Sequence, residues 1–139
     1  MTKITLAALA VCVLLPAGQA AAATPRDSIL AEFLAQAKSA DSGFTGFSAT
    51  RGETLFRTTH TGGKPDTPSC TTCHSAVPQN KGRTRAGKEI DPIAVSGAPK
   101  RFTDPAEVEK WFGRNCKSVL GRECSAAEKG DFITFMMGQ

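Results

Sequence analysis

Apolar residues recur along this chain at intervals of three and four, never in steady alternation. Between Asp27 and Lys38, the residues Ile29, Leu30, Phe33, Leu34 and Ala37 fall on one side of a helical wheel and predict an amphipathic helix. Phe132, Phe135 and Met136 give a closing helix the same kind of face. Helix starts are written in the polar residues between these runs. In "TRGE", Thr50 and Glu53 have capping-box spacing just ahead of Leu55 and Phe56. In "DPAE", Asp104 suits an N-cap, Pro105 the first helical position and Glu107 the third, ahead of Val108, Trp111 and Phe112. "SAAE" repeats the box with Ser125 and Glu128. From His74 to Phe102, proline, glycine and charge dominate and predict a long loop, with Ile90, Pro92, Ile93 and Val95 packing locally. The expected class is all-α with substantial loop.

The first residues follow a different rule. Lys3 precedes an apolar run from Ile4 to Leu15 that is short for a bilayer span, and "PAGQAAAATP" follows with cleavage choices after Ala20, Ala22 or Ala23. This predicts a signal peptide over residues 1–23 and export to the periplasm, leaving a chain of about 116 to 119 residues. Cys12 lies inside the apolar run behind Val11, where a lipidation site would have a small residue, so no lipid anchor is expected. The remainder divides into an extension with a helix, residues 24–47, and a domain over residues 48–139.

Loss of Cys12 leaves Cys70, Cys73, Cys116 and Cys124. "PSCTTCHS" contains C-x-x-C-H. Its two thiols have the spacing to add to the two vinyl groups of a haem, and the adjacent imidazole of His74 then meets the iron. A thioredoxin-type motif would open a helix in a βαβ pattern, which the chain lacks. A zinc site would need a second close pair of ligands. One motif predicts one covalent haem c. An exported chain commonly pairs an even remainder of thiols, which joins Cys116 to Cys124; two free thiols are the alternative.

Charge adds little. The formal net charge is +4, and much of the basic character sits in "KGRTRAGK" (81–88), Lys100 and Arg101. Such a run suits an acidic protein partner, haem propionates or a solvated loop. It lacks the interleaved aromatics of a nucleic-acid surface.

"GETLF", then C-x-x-C-H, a loop, a middle helix and a closing helix together resemble class I cytochrome c over roughly residues 48–139. The resemblance implies crossing first and last helices, long haem-lining loops and, here, an additional N-terminal helix. Ordinary members take a methionine as sixth ligand from a loop before the closing helix. In this chain, His74 to Ser125 contains no further histidine and no methionine. Met136 fits the core face of the closing helix, and His60 lies ten residues ahead of the haem-binding pair. "WFGRNCKSVLGREC" instead resembles the sphaeroides haem protein group, high-spin cytochromes whose sixth ligand is an asparagine directly before a disulfide cysteine. That resemblance implies Asn115 as distal ligand opposite His74, with Cys116 and Cys124 bonded. By spacing alone Asn115 also suits a helix C-cap after Gly113. The group further implies binding of O2, NO or CO after Asn115 is released on reduction, with a dihaem cytochrome c and a membrane cytochrome b as redox partners. Plain electron shuttling and reduction of oxygen, peroxide or nitrogen oxides stand as the competing activities.

Overall fold

The computed structural model describes residues 23–139, so the expected signal peptide, apart from Ala23, and Cys12 lie outside the described residues. Four helices carry the fold: α1 Pro25–Ala40, α2 Ala49–Arg57, α3 Pro105–Leu120 and α4 Ala126–Met137. A single 3-10 turn, Cys70–Thr72, lies in the α2–α3 connection. The same connection holds a minimal antiparallel hairpin, β1 Gly82–Arg83 with β2 Glu89–Ile90, paired Gly82 to Ile90 and Arg83 to Glu89. Two-residue strands are too short to leave an alternating pattern, which is why the sequence shows only loop there.

α1 begins two residues earlier and ends two later than its apolar pattern indicates. Thr24 is the N-cap and forms a reciprocal capping box with Asp27, while Pro25 occupies the first turn. Ile29, Phe33 and Ala37 are its buried residues. α3 and α4 start where their signals stand: Asp104 caps Glu107, and Ser125 and Glu128 cap each other. α2 does not. Its N-cap is Ser48, two residues before Thr50, and Thr50 lies inside the helix. The cause is tertiary. The Ser48 backbone N–H donates to Asp131 Oδ1 at 2.7 Å, and Arg51 donates to both oxygens of the same carboxylate at 2.7 and 2.8 Å. Asp131 is buried on α4, so this pair fixes where α2 begins as the two helices meet.

The α2–α4 crossing is close. A Cβ at Gly52 would collide with the Asp131 carbonyl, and one at Gly130 would enter the Phe47 ring. Above this contact Phe56, Ile133 and Met136 are fully buried. Aromatic rings continue the core from helix to helix. Phe132 of α4 meets Phe56 of α2 at 6.0 Å, Phe112 of α3 at 5.5 Å and Phe102 at 6.3 Å between centroids. Edge-to-face contacts of this kind add to the area they bury. The Met136 sulfur is thus core packing, and Val95 of the long loop donates its N–H to the Met136 carbonyl at 3.0 Å.

Candidate haem site

The C-x-x-C-H segment is shaped by the hydroxyls around it. Ser69 caps the 3-10 turn, and its hydroxyl reaches the Phe56 carbonyl at the end of α2 at 3.3 Å. Thr72 Oγ1 accepts from the Ser69 N–H in return. The turn closes with Cys73 and His74 N–H groups on the Cys70 carbonyl at 3.3 and 3.0 Å. From outside, the hairpin buttresses it: the Arg83 N–H donates to the Cys73 carbonyl at 2.7 Å. A Cβ at Gly82 would strike that same carbonyl oxygen. The motif is therefore held from both sides.

Cys70, Cys73 and His74 line a cavity of about 320 Å³, and Asn115 lines it from α3. α3 contributes two rows at helical spacing. Glu107, Trp111 and Asn115 form one, and Val108, Phe112 and Cys116 the other. Apolar walls come from Leu55, Ile93, Phe102, Val119 and Phe132. His60 and Met136 are not among the lining residues; the His60 ring is engaged with the Leu55 carbonyl at 3.1 Å.

Asn115 stands inside α3, not at its end. The helix runs through Gly113 to Leu120 and stops at Gly121, whose φ of 72° supplies the left-handed cap. The C-cap reading of Asn115 therefore fails, because the stop signal sits six residues later. Asn115 is solvent-exposed as well as cavity-lining, so its amide occupies the border between the two. Beside it, Cys116 is buried and disulfide-bonded to Cys124, with Cα atoms 5.6 Å apart. This bond ties the fourth turn of α3 to the residue before the Ser125 N-cap of α4.

Trp111 is 46 % exposed at the same border. Its indole N–H donates to Glu107 at 2.8 Å, and the Arg114 guanidinium lies 5.2 Å from its ring. Lower on α3, Ser118 and Thr67 share a hydroxyl hydrogen bond of 2.9 Å in the cavity wall. The loop bearing Thr67 is pinned there by the Lys64 N–H on the Ser118 carbonyl. Gly62 and Gly63 permit this approach, since a Cβ on either would strike an α3 carbonyl. Thr67 and Ser118 carry no sequence signal, because their meeting depends on a loop crossing a distant helix.

The donor set suits a covalent haem. Cys70 and Cys73 are not bonded to each other. Burial pushes the Cys70 thiol up to about 11, so it is neutral and unlike the thiolate of a dithiol redox centre. Burial, and then the positive charge of Arg101, hold His74 down at about 4, leaving a neutral imidazole with a free nitrogen lone pair. Among the described residues no three His, Cys, Asp or Glu side chains gather as a metal cage. The basic run is directed elsewhere. Lys81 pairs with Glu89 and Arg85 with Asp66, and none of residues 81–88 lines the cavity, whereas Lys100 and Arg101 do.

Comparison with known proteins gives the same answer. Residues 42–136 match the model of a domain of unknown function, DUF1924. The chain is 59 % identical over 91 residues to the cytochrome c-type protein SHP of Cereibacter sphaeroides, covering 66 % of this chain and 70 % of that one. It superposes on the structure of oxidised SHP, described as an oxygen-binding cytochrome c, with a TM-score of 0.77 and 50 % identity; the match covers 84 % of this chain and 98 % of that one. Oxidised cytochrome c'' of Methylophilus methylotrophus gives a TM-score of 0.70 at 31 % identity, over 83 % and 94 % of the two chains. With a C-x-x-C-H turn opening on an apolar cavity and these matches across its helices, the chain belongs to the SHP group of c-type cytochromes, carrying one covalently attached haem c.

Proposed function

We propose that this cytochrome is exported to the periplasm and handles electrons through a distal site that opens on reduction to bind O2, NO or a similar diatomic molecule. In this reading Cys70 and Cys73 form the thioethers, His74 is the proximal ligand and Asn115 the distal one. The observation that carries it is the shared cavity: Asn115 and the C-x-x-C-H residues line one space that no methionine enters. That one solved relative is described as oxygen-binding agrees with it.

A haem held by Cys70, Cys73 and His74 would supply a one-electron iron centre. The His74 imidazole would be its strong neutral donor. The Asn115 amide oxygen would be a weak, hard donor to that iron, one that would favour the ferric state and be held less firmly after reduction. Its exposed position gives the side chain room to turn outward. The Cys116–Cys124 bond holds the adjacent backbone in place, so the amide returns after reoxidation. Trp111 covers the same border, with Glu107 and Arg114 limiting its rotation. A dihaem cytochrome c and a membrane cytochrome b are the proposed redox partners.

Asn115→Ala tests the assignment. The variant should lose the ferric spectrum of the parent. Its ferrous form should still bind CO, because in the parent the amide has already left the reduced iron. An unchanged ferric spectrum would show that Asn115 is not the distal ligand.

A further inference from the structure

The first helix, α1, supports the haem cavity from behind at two points. Arg26, in the first turn of α1, directs its guanidinium at the backbone of residues 99–101. Its Nη2 donates to the Pro99 and Arg101 carbonyls, each at 2.9 Å, and its Nε donates to the Arg101 carbonyl at 3.2 Å. The segment it grips is a cavity wall: Lys100, Arg101, Phe102, Thr103 and Asp104 all line the space. The wall has little regular structure of its own, and Phe102 has φ of 59°, a left-handed conformation that a residue with a side chain adopts at a cost. Such a conformation persists only where its surroundings fix it. Arg101 completes the brace by donating to the Pro92 and Asp91 carbonyls at 3.0 and 2.9 Å, joining the wall to the segment that carries Ile93.

Two turns further along α1, Phe33 is buried edge-on against the cavity-lining Phe112, with ring centroids 6.5 Å apart. The Lys129 ammonium lies 5.2 Å from the Phe33 ring and pairs with Glu109 of α3, locking α1, α3 and α4 at this point. α1 thus supports the cavity through the wall segment and through α3.

We infer that Arg26 is a positioning residue for the haem, and that α1 is a working part of the haem site. By clamping two carbonyls of the 99–104 wall, Arg26 keeps Arg101 and Phe102 closed over the cavity and water out of it. A wall released from that clamp exposes the iron's surroundings to solvent. Water favours the more highly charged ferric state, which lowers the midpoint potential. The looser wall also eases entry of a small ligand. The inference requires a haem in the cavity but not Asn115 as its ligand, so the potential reads it whatever occupies the sixth position.

The test compares Arg26→Ala and Arg26→Lys with the parent as holoproteins. Haem content by mass and helix content by circular dichroism first establish that each is loaded and folded. Arg26→Ala should show a lower midpoint potential and CO association with the ferrous protein about tenfold faster; a 1 Å misplacement has effects of up to roughly a hundredfold. Arg26→Lys, which keeps the charge but offers a point donor in place of a fork, should fall between. A parent-like potential and CO rate in Arg26→Ala, with only thermal stability reduced, would overturn the inference and leave α1 a stabilising strut. Failure of Arg26→Ala alone to load haem would move the decision to Arg26→Lys, whose parent-like potential and CO rate would overturn the inference equally.

Discussion

Asn115 and Cys116 are neighbours with opposite surroundings, one exposed at the cavity's edge and the other buried and bonded. That contrast lets one side chain move while its backbone stays fixed. The disulfide spans only eight residues, and in the chain-entropy account a loop of that size restrains the unfolded state by about 2–3 kcal/mol. Replacing both Cys116 and Cys124 with serine should therefore lower unfolding stability by about that amount in denaturant titration. A change well below it would mean that helix packing alone fixes the α3–α4 corner. At this scale the sequence was informative wherever chemistry is local. The C-x-x-C-H spacing marks three cavity residues, and Asn115 joins them in the same space. Arg26, Thr67 and Ser118 gave no such signal, because each acts through backbone or hydroxyl groups brought close only by the fold.

The helices meet through two devices, missing side chains and paired charges. Alanine is the better helix former, by roughly 0.5–1 kcal/mol over glycine. At Gly52, however, the added methyl would meet the Asp131 backbone, which cannot rotate away. Overpacking of that kind costs about 1–3 kcal/mol, so Gly52→Ala should destabilise the protein despite its propensity, as thermal unfolding would show. The α4 start offers a pH signature. The Arg122 guanidinium, hydrogen-bonded to Glu128 at 2.6 and 2.8 Å, holds that carboxyl below its ordinary value of 4.5 despite partial burial, helped by the Ser125 N–H. A carboxyl depressed on folding stabilises fully above its unfolded value and loses that contribution as pH falls through its folded one. Unfolding temperatures of the parent and Glu128→Gln should thus differ most near neutrality and converge below pH 4.5. A gap that persisted at acid pH would assign the effect to the cap alone. The same comparison explains what the sequence concealed. "SAAE" and "DPAE" mark their helices because the capping partners are local, while "TRGE" is displaced to Ser48 because Asp131, eighty-three residues away, captures the start of α2.

The described residues form an apolar cavity between α3, the C-x-x-C-H turn and the 99–104 wall, with α2, α4 and α1 behind. The molecule's cations divide by position. Lys81 and Arg85 of the hairpin region pair with Glu89 and Asp66, Arg83 donates to the Gly87 carbonyl, and Lys100 and Arg101 stand at the cavity. An acidic redox partner meeting the cavity side would face Lys100 and Arg101, and its affinity should fall as salt is raised. The helical class and the haem motif were legible from spacing. The wall segment was not, since residues 91–104 owe their course to Arg26, Arg101 and a left-handed Phe102.

The central claim is that the distal position is occupied by a weak amide donor in one oxidation state and vacated in the other. Resonance Raman spectra of the ferric and the reduced protein, read through the bands that report iron coordination and spin, test it most directly. The account predicts a six-coordinate high-spin ferric iron and a five-coordinate high-spin ferrous iron. A low-spin, six-coordinate iron in both states would contradict it, showing a strong distal ligand that never leaves.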